Sequence, residues 1–233
     1  MRPEAKGYIL KEYGSWSVLF IAFIIGLGVS RGFRWQAIPV LLSLSLLINS
    51  KQAFTKWVRM PSDHKPLLIL IGQIGSATII LLSVFGSDIP ILLQLLIFPA
   101  AYLLMNKIAG EHFILTELLG FALLSLAAVL AKFTITGGVD VRLFVGVAMY
   151  FTAGVFKIKA MLLKKTQDRI LTVLYIVVAI YVYHRMHLPR IALLPLAENI
   201  VAAATLYKVK LQTTGWIEVA KSLTFLALMI AYF

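Results

Sequence analysis

Nine runs of apolar residues, separated by short polar stretches, account for most of the chain. They are Ser15–Ser30, Ala37–Ile48, Leu67–Phe85, Ile89–Met105, Phe113–Ala131, Val141–Phe156, Ile170–Tyr183, Ile191–Leu206 and Ile217–Phe233. A transmembrane helix needs about 20 predominantly apolar residues, so the shorter runs must extend into their amphipathic flanks. The pattern predicts an all-α, polytopic transmembrane bundle of about nine helices, built as a single integral membrane domain over residues 1–233.

Composition supports the membrane class and narrows the chemistry. The 233 residues are 61% hydrophobic and 14% charged, whereas about a quarter of a soluble domain is charged. The absence of cysteine excludes disulfides, thiolate catalysis and cysteine-based metal sites. The net charge of +12 is distributed over short segments between apolar runs, so we expect those cations to meet anionic lipid headgroups rather than nucleic acid.

The distribution of Lys and Arg predicts the orientation. With the N-terminus inside, 15 of the 22 Lys and Arg residues fall in inner segments and six in outer ones, while Lys221 lies in the last span. Because positive residues are enriched on the cytoplasmic side, we expect a multi-pass protein of the cell membrane with its N-terminus in the cytoplasm and its C-terminus outside.

Two basic stretches stand out, Asn49–Lys65 and Lys157–Arg169. Lys51 and Lys56 are five residues apart in the first, as are Lys159 and Lys164 in the second. If the chain consists of two tandem halves, the second helix of each half ends in a basic loop, and paired interruptions of this kind indicate a binding site. The alternative is that insertion rules alone make both loops basic.

Ionisable residues within the apolar runs are the candidates for chemistry. Glu198 lies near the middle of a run and is either a functional carboxylate or a protonated one that hydrogen-bonds Asn199 or another helix. Glu218 and Lys221 lie one turn apart and are expected to form a local ion pair of small energy. A polar inner cavity is conceivable, lined by Glu12, Asn49, Lys51, Lys107, Glu117, Lys157, Glu198 and Glu218.

Metal chemistry has little support in the sequence. No two carboxylates are four residues apart, and Mg²⁺ requires several hard oxygen ligands. His184 and His187 have a metal-ligand spacing, but Arg185 and Arg190 beside them repel a cation. We therefore expect no metal and no other cofactor, and the sequence identifies no catalytic residue.

Two short motifs carry a resemblance to a known family. Lys11-Glu12-Tyr13-Gly14-Ser15-Trp16 is similar to the opening K-E-H-G-x-W of the YwiC-like family of membrane proteins, and Gly215-Trp216-Ile217-Glu218 is similar to its closing G-W-x-E. The chain departs from the family at Tyr13, where a histidine is usual.

More distantly, the chain resembles the UbiA prenyltransferase superfamily, which implies nine helices with the site opening inward. Asn49 stands where that superfamily's first Asp-rich motif begins, but Ala53 and Trp57 occupy the positions of later aspartates. In the second motif, expected at Lys157–Arg169, only Asp168 is acidic. Those aspartates hold the Mg²⁺ ions that bind a prenyl diphosphate, so the resemblance implies the scaffold without the usual metal site.

Three functional hypotheses follow. The first is a UbiA-like protein that binds an anionic membrane lipid, such as an isoprenoid phosphate or diphosphate, through a basic set of side chains: Lys51, Lys56, Arg59, Lys157, Lys159 and Lys164. The second is a divergent prenyltransferase in which those cations replace the metal. The third is a small transporter or a membrane-complex assembly factor. The sequence specifies no protein partner.

Overall fold

A computed structural model describes residues 8, 10, 12–60, 62–111, 113–206 and 211–233. All regular structure in these residues is helical, with no strand among them. The prediction of an all-α, polytopic helix bundle is confirmed. The orientation count also used Arg2, Lys6, Lys11, Lys208 and Lys210, which lie outside the described residues.

The described residues form nine helices. They are α1 (Tyr13–Val29), α2 (Ala37–Arg59), α3 (His64–Phe85), α4 (Ile89–Ala109), α5 (Ile114–Thr136), α6 (Val141–Leu163), α7 (Thr166–Arg185), α8 (Ala197–Thr205) and α9 (Leu211–Tyr232). A 3-10 turn at Gln94–Leu96 interrupts α4, and a 3-10 segment, Arg190–Leu196, leads into α8.

Seven of these helices are long and apolar enough to cross a membrane, namely α2 to α7 and α9. Helix α1 is apolar but has 17 residues, and α8 has nine residues. Large apolar side chains are exposed around the outside of the bundle, including Ile71 and Ile79 on α3 and Leu104 on α4. Lipid tails, unlike water, accommodate such a surface, and the chain is a membrane protein.

Capping residues mark the ends of several helices. The Asp63 carboxylate accepts a hydrogen bond from Lys65 N–H and caps α3, and Asp140 accepts one from Leu143 N–H and caps α6. Gly137 follows α5 in the left-handed conformation. Each device satisfies backbone groups that the end of a helix leaves unpaired.

Most of each basic stretch is helical, where the sequence predicted a loop, and Lys164 and Lys165 lie in the connection that follows α6. Helix α2 continues past Lys51 to Arg59, and α6 continues past Lys157 to Leu163. Lysine and arginine have good helix propensity and interact favourably with the C-terminal end of the helix dipole, so the helices do not stop where the apolar runs stop.

Helices α1, α5 and α6 form the centre of the bundle. Helix α1 packs on α5 and α9, α5 on α6, and α6 on α7, while α2 and α3 form a hairpin. The side chains of α6 are the most deeply buried of the seven spans, whereas no side chain of α4 is buried. The core is therefore off-centre, and α3 and α4 present mostly outward-facing surface.

The two ends of the bundle differ in chemistry. At one end, which we call the basic end, Lys51 near the end of α2 contacts Glu12 just before α1, and Lys159 near the end of α6 contacts Glu117 at the start of α5. At the other, the Asp140 end, the ammonium of Lys132 lies 5.0 Å from the ring centre of Phe233. Helix α1 therefore begins at the basic end, and α9 ends at the Asp140 end.

Candidate functional site

Four charged side chains from three helices meet inside the bundle, and we call them the four-charge cluster: Lys157, Glu198, Glu218 and Lys221. The Lys157 ammonium lies 2.6 Å from Glu198 Oε2 and 2.6 Å from Glu218 Oε1. The Lys221 ammonium lies 2.7 Å from Glu198 Oε2 and 3.0 Å from Glu218 Oε1. Each cation therefore contacts both carboxylates.

Both lysines of the cluster are buried. The side chain of Lys157 is 1% exposed and that of Lys221 is 9% exposed. Lys221 also donates to Oδ1 of Asn199, a fully buried residue whose amide nitrogen donates to the Ala153 carbonyl at 3.4 Å. Burial of ions is costly unless they are paired and hydrogen-bonded, and the two cations and two carboxylates give the cluster no net charge.

A groove of about 350 Å³ runs beside the cluster, between the 3-10 segment and α9. Glu198 and Lys221 form its polar part. The remaining lining side chains are apolar apart from one hydroxyl: Leu194, Pro195, Ile217, Ala220 and Thr224. A small molecule in this groove would therefore contact the cluster directly.

A second charged group joins the N-terminal segment to α2. Lys51 lies 2.8 Å from Glu12 Oε1 and 2.7 Å from Glu111 Oε1. The Leu10 N–H donates to Asn49 Oδ1 at 2.8 Å, and Trp16 Nε1–H donates to the Leu10 carbonyl at 3.0 Å. These contacts hold Leu10 and Glu12, just before α1, against the basic end of α2.

A cleft of about 520 Å³ lies between α5 and α6 at the basic end. Its polar margin is the ion pair between Lys159 and Glu117, with an N–O distance of 3.3 Å. The other lining residues are all apolar: Phe121, Val155, Ile158, Leu162 and Leu163. The cleft thus combines an accessible cation with a hydrophobic surface.

A family model described as "YwiC-like protein" matches residues 9–132, just over half of the chain. The chain belongs to the YwiC-like family. No curated protein and no solved structure matches it.

The YwiC-like match covers α1 to most of α5, and the opening motif lies within it. In that motif Ser15 Oγ–H donates to Glu12 Oε2 at 2.9 Å, Glu12 pairs with Lys51, and Trp16 anchors Leu10. Glu12 and Trp16 of the motif thus hold the start of α1 and Leu10 against the bundle. The closing motif, Gly215 to Glu218, lies beyond the matched residues, and the similarity to UbiA prenyltransferases remains a prediction.

Apart from Lys107, the structure places the predicted cavity residues in three groups: Lys157, Glu198 and Glu218 in the four-charge cluster, Glu12, Asn49 and Lys51 in the second charged group, and Glu117 at the Lys159 cleft. Lys56 lies with its ammonium 4.0 Å from the ring centre of Tyr8. Three predicted cations, Arg59, Lys107 and Lys164, have exposed side chains at the basic end.

The sequence analysis did not predict the roles of three residues in these charged groups. It treated Lys221 only as a local partner of Glu218, whereas that pair belongs to a buried network across three helices. It also missed Asn199 and Glu111 as partners of Lys221 and Lys51. The available signal was a lysine inside the last apolar run, since an unpaired charge there is costly and requires a partner.

The Asp140 end carries its own ion pair. Lys132 Nζ lies 2.8 Å from Asp140 Oδ2, between the ends of α5 and α6. Burial acts to raise the pKa of the Asp140 carboxyl, but the hydrogen bonds from Lys132 and from Leu143 N–H, with Arg142 nearby, hold that pKa below its ordinary value. Asp140 is therefore a structural cap that stays ionised at neutral pH.

Proposed function

We propose that this YwiC-like protein binds an anionic lipid, an isoprenoid phosphate or a phospholipid, at the Lys159 cleft. The observation that carries the proposal is the pairing of an accessible cation with a wholly apolar wall in one cleft at the basic end. A phosphate meets an ammonium as a point charge, and the apolar wall accommodates the attached chain.

Lys159 suits this role better than the other predicted cations inside the bundle. Lys51 and Lys157 each lie within 2.8 Å of two different carboxylates, so a phosphate would have to displace both. Among the described residues, Lys159 has a single carboxylate in the cleft, at 3.3 Å, and its side chain is 23% exposed. Lys164, which caps the same helix, adds a second exposed cation beyond the cleft.

Replacing both Lys159 and Lys164 by alanine should weaken anionic lipid binding by about tenfold or more, because each charge-assisted contact contributes roughly 1.5–3 kcal/mol. Native mass spectrometry of the full chain, titrated with farnesyl phosphate and separately with phosphatidylglycerol, measures the affinity and identifies the preferred class. Farnesol is the uncharged comparison.

The control is the double variant Arg185→Ala/Arg190→Ala, which removes two exposed cations from the Asp140 end. It should bind both lipids as the unmodified chain does. Equal affinity in the Lys159/Lys164 variant would remove the cleft as the lipid site and would leave those lysines as orientation signals.

We also propose that the basic end faces the cytoplasm of the cell, since 15 of the 22 Lys and Arg residues belong to segments assigned to that side. The chain has no cysteine, so a single introduced cysteine reports only its own position. In intact cells a membrane-impermeant maleimide should label Arg34→Cys, at the Asp140 end, and should leave Lys165→Cys, at the basic end, unlabelled. Both should react after permeabilisation, and the reverse pattern in intact cells would invert the orientation.

The two other hypotheses make different demands on the same structure. A divergent prenyltransferase would bind a prenyl diphosphate and then release inorganic diphosphate, so a turnover assay separates it from simple binding. A transporter requires ionisable groups within its spans, and the four-charge cluster is a specific observation in favour of it, because Glu198 is joined there by three further charges.

A further inference from the structure

The four-charge cluster and the groove beside it form a site separate from the Lys159 cleft. The groove lies between the 3-10 segment and α9, whereas the cleft lies between α5 and α6. Glu198 and Lys221 belong both to the cluster and to the groove lining. A ligand in the groove would therefore compete with the contacts that hold the cluster together.

Charge balance determines which ligand the groove can accept. The cluster holds two ammonium groups and two carboxylates, and its lysines are almost completely buried. A bound anion would add one uncompensated charge, which is costly away from bulk water. If one carboxylate takes up a proton as the anion enters, the total charge stays at zero and a lysine is released to pair with the ligand.

We propose that this groove binds a monovalent organic carboxylate with an apolar body, and that binding is coupled to protonation of Glu218. The proton comes from solvent and forms an O–H bond on the Glu218 carboxylate. Lys221 then exchanges its contact with Glu218 for the carboxylate of the ligand. The number of charges in the site is the same before and after binding.

Glu218 is the proton acceptor because of its position among the charged groups. Its side chain is 37% exposed, against 24% for Glu198, so solvent reaches it more easily. Glu198 receives hydrogen bonds on both oxygens from Lys157 and one more from Lys221. Protonating Glu198 would therefore weaken the two-oxygen contact with Lys157 and the shorter of the two carboxylate contacts of Lys221. Protonating Glu218 leaves Lys157 paired with both oxygens of Glu198.

Among the residues that the structure describes, few other ionisable groups surround Glu218. Lys157 and Tyr150 face it from α6, Glu198 faces it from α8, and Lys221 lies on the same helix. Helix α1 also packs on α9 but has no charged residue within its bounds. The 3-10 segment contributes only Arg190, at its far end. No second pair of carboxylates in these elements competes for the proton.

The groove suits the apolar part of such a ligand. Its volume of about 350 Å³ is at the small end of the range of roughly 300–1,000 Å³ for ligand pockets. Apart from the two charged groups, the lining offers a single hydroxyl, that of Thr224. A short aliphatic carboxylate matches this combination of one cation and an apolar wall.

Octanoate binding to the full chain in phosphatidylcholine nanodiscs tests the proposal. Equilibrium dialysis of radiolabelled octanoate between pH 6 and pH 8, with empty nanodiscs as background, should give a Kd that falls about tenfold for each unit by which the pH is lowered, because one proton is taken up per ligand. A pH indicator in weak buffer should record that proton. Octanol should show no such dependence.

Two substitutions identify the groups. Glu218→Gln removes the need for a proton, so octanoate should bind with the same Kd at pH 6 and pH 8 and without proton uptake. Lys221→Met should abolish the pH-dependent binding, and the Glu218→Gln result stands by itself if that variant does not fold. Arg185→Ala, which removes an exposed cation at the Asp140 end, is the matched control and should keep the full pH dependence.

Three results would each overturn the proposal. The first is octanoate binding to the unmodified chain that does not change with pH. The second is binding at pH 6 that does not exceed the empty-nanodisc background. The third is proton uptake by Glu218→Gln equal to that of the unmodified chain. None of them bears on the Lys159 cleft, whose own test uses phosphate-bearing lipids.

Discussion

Replacing Lys157 by methionine should destabilise the bundle by about 3–5 kcal/mol, the range for removing one partner of a buried ion pair. Methionine keeps the length and apolar stem of the side chain, so the loss is mainly electrostatic. Lys157 is 1% exposed and contacts both carboxylates of the four-charge cluster. Without it, Glu198 and Glu218 share Lys221 alone, and the cluster carries a net negative charge.

Thermal unfolding followed by tryptophan fluorescence in detergent measures this effect. For a chain of 150–250 residues, a loss of 1 kcal/mol lowers the Tm by roughly 2–4 °C, so the Lys157→Met variant should melt roughly 6–20 °C earlier. Lys107→Met, at an exposed position of the basic end, is the matched control and should leave the Tm nearly unchanged.

A double substitution separates charge from packing. Adding Glu218→Gln to Lys157→Met leaves one cation, Lys221, and one carboxylate, Glu198, at 2.7 Å, so neutrality returns and at least half of the lost stability should be recovered. If the double variant melts as early as the single one, the loss arises from packing around Lys157 and not from the unbalanced charge.

Most of the helices could be predicted from the sequence because membrane insertion demands long apolar runs. The predicted span Ile191–Leu206 is the exception, since it folds as a 3-10 segment followed by the nine-residue α8. The ends of two helices could not be predicted, since α2 and α6 extend through lysines and arginines that hydropathy assigns to loops. In both cases the extension carries a functional candidate, Lys51 in α2 and Lys157 in α6. Hydropathy measures transfer into lipid, whereas helix propensity decides where the hydrogen-bonded backbone stops.

The candidate site could be predicted from the sequence only in part. Glu198 could be singled out because a carboxylate in an apolar run is costly, but its partners could not be identified. Glu218 is 61 residues from Lys157 in the chain, and their contact depends on how α9 is rotated against α6. In a lipid-facing bundle the helices are apolar on most sides, so the sequence pattern does not specify that rotation.

Close packing of α1 on α5 makes a second strong prediction, at Gly26. A Cβ atom added there would lie 2.1 Å from the Ala128 carbonyl oxygen and 2.8 Å from Ala131 Cβ. Small residues at such a crossing allow helix backbones to approach closely in a membrane. Gly26→Ala must push the two helices apart, and we expect it to destabilise the bundle by about 1–3 kcal/mol.

The matched control for Gly26→Ala is the same substitution at Gly72, in the interior of α3. A Cβ atom added at Gly72 meets nothing within 4 Å, so alanine there should be neutral or should stabilise the helix by up to about 1 kcal/mol. The Tm of Gly26→Ala should therefore fall, whereas the Tm of Gly72→Ala should rise or stay unchanged. Equal shifts would mean that backbone entropy, common to both glycines, outweighs the contact between α1 and α5. A fall in Tm for Gly26→Ala alone would establish that the contact between α1 and α5 fixes the position of α1. This contact lies within the residues matched by the YwiC-like model. Because α9 packs on α1, the contact also positions α9 and its charged residues.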